Sequence, residues 1–270
     1  MDNIKCISTD DKKRLLISEK DEFASLNDIL NLPANKAVII AGPCSIEDYS
    51  VFEEAAGFLK ETGIHCIRGG AYKPRTSPYD FQGLHEDGLK ILKDVAKKHS
   101  LSTITEVLDT RHVELVSKYA DIMQIGARNM HNYELLKEVG ISGRPVVLKR
   151  GFSATIEEFM LAAEYIALNG NRNIVLCERG IRTFETKTRN TLDISCIPII
   201  KLETGLSIIA DLSHSLGRND IIFPIAKAAI AAGADGIMVE VHPNPEKALS
   251  DCKQQMNMAE FHELINNMKI

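Results

Sequence analysis

The feature that most narrows what this chain can fold into is an alternation, repeated eight times, of a short β-branched run with a longer amphipathic segment. The short runs fall at residues 37–41, 64–68, 102–107, 122–125, 146–149, 174–177, 207–211 and 236–241. The longer segments follow at 49–61, 84–99, 111–119, 132–139, 156–168, 191–200, 221–232 and 258–268. Apolar spacing and run length make the first set strands and the second set helices, and strands alternating with helices build a parallel sheet. An open doubly wound sheet uses the same alternation. The count of eight, with polar residues gathered after nearly every strand, instead predicts a closed (β/α)8 barrel whose strand ends converge on one mouth. Residues 1–35 are polar and irregular, with a weak helix signal over 21–32 ended by Pro33. The expected organisation is a short N-terminal extension, 1–35, followed by a single catalytic barrel, 36–270.

Composition excludes several partners. A formal net charge of −5 argues against nucleic acid, so any anion site must be a local cationic pocket. The longest apolar stretch, 221–232, is interrupted by Pro224 and Lys227, which leaves no membrane span. The opening Met-Asp-Asn-Ile-Lys has no signal-peptide pattern. The 6 cysteines are scattered too widely for a disulfide framework and suit a reducing compartment. Together these predict a cytoplasmic protein.

The chemistry is announced by the stretch from Arg68 to Ser77, Arg-Gly-Gly-Ala-Tyr-Lys-Pro-Arg-Thr-Ser. Three cations and two hydroxyls crowd a segment whose Gly69 and Gly70 allow close backbone approach and whose Pro74 stiffens the turn. Arg68, Lys73 and Arg75 are donors suited to carboxylate and phosphate. Reading the position at or just after each strand gives Cys44, Arg68, Glu106, Arg128, Lys149, Arg179, His214 and Glu240. Each cation alone would be an ordinary surface charge. Their shared placement after successive strands predicts a funnel for substrates with more than one anionic group. Cys44, His214 and Glu240 also lie at strand ends, and Asp251 lies on the loop after the last strand; thiolate, imidazole and carboxylates suit a borderline divalent ion. His242 competes with His214 for this role.

Six motifs carry a resemblance to a known family: Gly42-Pro43-Cys44-Ser45, the Arg68 to Ser77 loop, Ile125-Gly126-Ala127-Arg128-Asn129, Leu148-Lys149-Arg150-Gly151, Asp211-Leu212-Ser213-His214 and Val239-Glu240-Val241-His242-Pro243. In this order they resemble the short, type I-beta 3-deoxy-D-arabino-heptulosonate 7-phosphate (DAHP) synthases from about residue 38 to the C-terminus. The 3-deoxy-D-manno-octulosonate 8-phosphate (KDO8P) synthases are a sister family. The resemblance implies metal-dependent condensation of phosphoenolpyruvate with erythrose 4-phosphate, the first step of the shikimate pathway. It implies one divalent ion (Mn, Fe, Zn or Co) on Cys44, His214, Glu240 and Asp251. Phosphoenolpyruvate would lie on Arg68, Lys73, Arg128, Lys149 and Arg179 with the backbone of Gly126 and Ala127, and the aldose phosphate along Pro74, Arg75, Thr76 and Ser77. Lys73 would be a proton donor kept labile by neighbouring cations, Glu106 an orienter or base for water, and His214 a catalytic group through the metal. It further implies a homotetramer and, in the short form, no feedback inhibition. The alternatives are a KDO8P synthase using arabinose 5-phosphate, a hydrolase of phosphate esters, and a barrel that binds phosphometabolites without turning them over.

Overall fold

The computed structural model describes residues 15–268 apart from residue 35. Residues 1–14 of the expected extension, with Cys6, lie outside the described residues. Eight strands run β1 Val38–Gly42, β2 Cys66–Arg68, β3 Ser102–Glu106, β4 Ile122–Ile125, β5 Val146–Lys149, β6 Ile174–Glu178, β7 Ser207–Asp211 and β8 Gly236–Glu240. Each pairs in parallel with the next, and β8 returns to β1 from Val38↔Gly236 to Gly42↔Glu240. This closure decides for the barrel over the open sheet.

The helices among the described residues are α1 Leu26–Ile29, α2 Tyr49–Glu61, α3 His85–His99, α4 Val113–Tyr119, α5 Tyr133–Ser142, α6 Ile156–Leu168, α7 Cys196–Glu203, α8 Leu212–Leu216, α9 Ile222–Ala231 and α10 Met258–Met268. Their ends follow local chemistry. Thr155 and Glu158 close a capping box on α6, Asp48 accepts from the Val51 amide at the start of α2, and Gly143 at φ 67° ends α5. No helix of the described residues is long and apolar enough to cross a membrane.

Two apolar layers hold these elements together. The larger lies between strands and helices, where α2 contributes Phe52, Ala55, Ala56 and Leu59. The smaller fills the barrel with Val38, Ile40, Cys66, Ile104, Ile122, Val147, Val175, Cys177, Ile209 and Met238, and includes Leu26 and Leu30 from α1 and the turn after it. Side chains alternate along a strand, so the residue two places beyond an inner apolar one also points inward, one level nearer the mouth. Those residues are Arg68, Glu106, Gln124, Lys149, Arg179, Asp211 and Glu240. A single register therefore sets a polar layer on top of a dry interior.

Two sequence expectations need correction. The segment 191–200 becomes helical only from Cys196; the residues before it belong to the β6–α7 loop, where Ile181 and Thr191 form an antiparallel bridge. His214 is not at a strand end but on α8, a short helix that Asp211 caps through the His214 amide and that Gly217 at φ 68° terminates.

Candidate active site

Above the polar layer opens a cavity of about 180 Å³. Of the residues expected from the sequence, Arg68, Lys73, Pro74, Arg75, Thr76, Glu106, Gly126, Ala127, Arg128, Lys149, Arg179, His214 and Asp251 line it. Cys44 and Glu240 are buried and reach His214 and Asp251 through their side chains. Ser77 is not among the lining residues, and its hydroxyl accepts from the Tyr79 amide. Gln124, Phe152, Arg189 and Asp80 also line the cavity, and the sequence reading did not include them.

The ligand atoms of Cys44, His214, Glu240 and Asp251 all lie within 4.8 Å of one another. Each is held by a neighbour. The Cys44 amide donates to Gln255 Oε1 at 3.0 Å, and the Glu240 amide donates to Ser213 Oγ at 2.8 Å. Glu240 Oε2 accepts from Gln254 Nε2 at 2.6 Å, and its Oε1 takes the guanidinium of Arg68. Asp251 stands at φ 47°, a left-handed conformation that Asp tolerates better than most residues. His214 Nδ1 lies 2.8 Å from Asp211 Oδ2, and because a carboxylate can only accept, Nδ1 carries the proton. That leaves the Nε2 lone pair facing Glu240 Oε1 at 3.5 Å and Asp251 Oδ2 at 3.7 Å.

The protonation preferences fit this geometry. Burial lowers the pKa of His214 against the pull of Asp211 and Glu240, which favours neutral imidazole. Glu240 is opposed by burial, yet the cations beside it, Arg68 and Lys73, hold it well below the usual carboxylate range. Burial and Glu240 push the Cys44 thiol up to about 12. A lone pair, two carboxylates and a sulfur converging on one point suit a divalent cation, and the carboxylate behind the histidine is the orienting partner that metal-bound imidazoles usually have. His242 is excluded from this cluster; its Nδ1 accepts from the Asn244 amide and its Nε2 faces Glu47 at 3.6 Å.

Beside the cluster stand the cations. Lys149 Nζ lies 2.5 Å from Asp211 Oδ2, so one buried carboxylate orients both a lysine and a histidine. Lys73 Nζ lies 3.0 Å from both the sulfur and the carbonyl oxygen of Cys44. Burial opposes its charge, but Cys44, Glu240 and Glu106 outweigh burial and the repulsion of Arg68, so its pKa is raised. The raised value favours the ammonium form, the protonation state that a proton donor needs. Phe152 gathers three guanidiniums, with Arg179 at 4.7 Å, Arg182 at 5.0 Å and Arg128 at 5.6 Å from its ring centre.

The glycines of the opening loop serve the protein itself. A Cβ on Gly69 would lie 2.6 Å from the Phe52 ring, and one on Gly70 would lie 2.7 Å from Cδ of Lys73. Gly126 is needed in the same way, since a Cβ there would collide with the Glu106 carboxylate. Asp211 and Gln124 could have been found by counting two residues past Ile209 and Ile122. Phe152, Arg189 and Gln254 carry no such signal.

Closed parallel barrels carry their chemistry at the C-terminal mouth, and one so rich in inward cations falls among the (β/α)8 enzymes that handle small, multiply anionic substrates. Within that class the chain belongs to the DAHP synthetase I family, which it matches over residues 15–269. The phospho-2-dehydro-3-deoxyheptonate aldolase of Thermotoga maritima is 58% identical over 231 residues, 86% of this chain and 68% of the relative. A crystal structure of that DAHP synthase superposes with a TM-score of 0.84 at 57% identity, covering 86% of this chain and 68% of the other. A truncated form of 3-deoxy-D-arabino-heptulosonate 7-phosphate synthase from the same organism superposes at 0.80 with 53% identity, covering 86% and 85%. The 2-dehydro-3-deoxyphosphooctonate aldolase of Desulfosudis oleivorans is more distant, at 31% identity over 258 residues, 89% of this chain and 92% of the relative.

Proposed function

We propose that the chain joins phosphoenolpyruvate to D-erythrose 4-phosphate, giving DAHP and phosphate at the head of the shikimate pathway. The observation that carries this reading is the 58% identity to the heptonate aldolase of T. maritima, well above the 31% to an octonate aldolase.

In this reading Arg68, Arg128, Lys149 and Arg179, with the amides of Gly126 and Ala127, hold the enol phosphate and carboxylate of phosphoenolpyruvate. Pro74, Arg75 and Thr76 hold the aldose phosphate, and Ser77, outside the cavity lining, closes the same loop through the Tyr79 amide. Cys44, His214, Glu240 and Asp251 hold a divalent ion of manganese, iron, zinc or cobalt, which when bound supplies Lewis acidity toward the aldehyde. C3 of phosphoenolpyruvate bonds to the aldehyde carbon while Lys73, protonated and buried, gives its proton to the oxygen that becomes the new hydroxyl. Water then adds at C2 with Glu106 accepting its proton, and the phosphohemiketal breaks its C–O bond to release phosphate. Asp211 and Gln254 act by orienting His214, Lys149 and Glu240. We place this activity in a single catalytic barrel with residues 1–35 as an extension, in a cytoplasmic homotetramer, as the resemblance to the type I-beta enzymes suggests.

Pro74 supports the four-carbon sugar. It offers neither an amide side chain nor a backbone donor to a fifth carbon's hydroxyl, and a buried hydroxyl left unpaired costs about 1–3 kcal/mol. The test is loss of the phosphoenolpyruvate enol absorbance, which should require erythrose 4-phosphate and release one phosphate per turnover. A preference of about tenfold or more over arabinose 5-phosphate in kcat/KM is expected. Equal values for the two sugars, or turnover of phosphoenolpyruvate alone, would overturn the assignment.

A further inference from the structure

At the tips of β5 and β6 the chain carries two adjacent pairs, Lys149-Arg150 and Glu178-Arg179. Lys149 and Arg179 point into the mouth, while Arg150 and Glu178, one residue out of phase, point outward between barrel and helices. Both outward residues are buried, Arg150 at 3% and Glu178 at 0% exposure, and neither has a part in the chemistry above. Arg150 Nη1 donates to Glu178 Oε2 at 2.9 Å and to Asp193 Oδ2 at 2.8 Å, and its Nε donates to the Ala154 carbonyl at 3.0 Å. The other oxygen of Glu178 reaches across Arg179 to accept the Gly180 amide at 2.7 Å. One ion pair thus ties the β5–α6 loop, the turn around Arg179 and the start of α7.

Replacing a buried ion pair by apolar side chains of like volume is often neutral or stabilising, so stability alone gives no reason for this pair. Its reason lies with Arg179. Among the described residues the guanidinium of Arg179 has no carboxylate within ion-pair distance; it meets the Gly180 carbonyl at 3.4 Å and the Phe152 ring. A cation held so loosely by its own side chain, near a second buried cation, is aimed by its backbone. Glu178 clamps that backbone from both sides of Arg179, and Arg150 holds Glu178.

We propose that Arg150 and Glu178 are positioning residues, an outward brace that aims Lys149 and Arg179 at the anionic groups of phosphoenolpyruvate. The inference rests on the placement of that substrate given above. It predicts a selective defect. In R150M/E178M, which removes both charges together, KM for phosphoenolpyruvate rises about tenfold while kcat and KM for erythrose 4-phosphate stay within about twofold. Calorimetric titration of phosphoenolpyruvate into the variant holoenzyme should show the same loss. If that variant does not fold, E178M, which leaves Arg150 paired with Asp193 but takes the acceptor away from the Gly180 amide, is judged by the same criteria. A folded variant with unchanged phosphoenolpyruvate affinity, or one whose two KM values and kcat decline together with its melting temperature, overturns the brace. R179M separates this from the underlying reading: unchanged phosphoenolpyruvate affinity there refutes the substrate placement, whereas weakened affinity in R179M with none lost in R150M/E178M refutes the brace alone.

Discussion

Asp211→Asn is the most informative single change, because Asp211 is 0% exposed and its carboxylate serves Lys149 Nζ, His214 Nδ1 and the His214 amide at once. Asparagine keeps the size and the oxygen that accepts the cap bond, but puts an amide nitrogen in the place of Oδ2, where Lys149 Nζ and His214 Nδ1 both donate. Removing one partner of a buried pair costs about 3–5 kcal/mol, and full burial leaves no solvent screening to reduce it. The surviving cap bond sets the lower end, about 3 kcal/mol, which for a chain of this size is a fall of roughly 6–12 °C in melting temperature. The folded pKa of Asp211 is well below 3.8, because Lys149 and His214 overcome the burial that opposes its charge. Its contribution is therefore present above the unfolded pKa and lost only as pH falls through the depressed folded value, so the gap to wild type should be flat around neutrality. Two binding measurements should move in opposite directions. Affinity for Mn²⁺, titrated calorimetrically, should fall about 10–100-fold as His214 loses its orienting carboxylate. Phosphoenolpyruvate should narrow the melting gap, since its anions can neutralise the Lys149 charge that Asp211 leaves behind. An unchanged melting temperature, or a gap that phosphoenolpyruvate does not narrow, would refute the reasoning.

Three further outcomes are expected. Gly126→Ala should lower kcat/KM by about 100-fold with the fold intact, because the added methyl must displace Glu106; wild-type kinetics would remove Glu106 from the mechanism. Chelation should abolish condensation and several divalent ions should restore it, with Cys44→Ala reproducing the chelated behaviour; full activity and metal content in that variant would show the ligand set to be wrong. Asp193→Asn should lower the urea midpoint by an amount that is constant near neutrality and shrinks as pH falls below 3.8. Burial raises the Asp193 pKa, but Arg150 and Ser195 outweigh it and hold the folded value below the unfolded one.

Much of this protein was legible in its sequence. Strand and helix periodicities are properties of local chain geometry, and five of the eight helical segments were expected within a residue of where they stand: 49–61, 84–99, 156–168, 221–232 and 258–268. Strand-end cations and the four clustered residues were legible too, because a parallel barrel sends the carboxyl end of every strand to one face. The surroundings of Lys73 were only half legible: Arg68 and Arg75 stand near it in sequence, while Cys44, Glu106 and Glu240 reach it only in the fold.

What the sequence determined by itself was the repeat, and through it the architecture and the residues offered to the mouth. Only the tertiary structure decided which of them meet. Closure of β8 on β1 brings Cys44 beside Glu240, two residues far apart in the chain, and the loop after β8 folds back to add Asp251. The choice of His214 over His242, the shared carboxylate of Asp211 and the outward pair Arg150–Glu178 all depend on side-chain directions across neighbouring strands. Those directions are set by the shear of the closed sheet, a property of the whole ring that no stretch of the chain encodes alone.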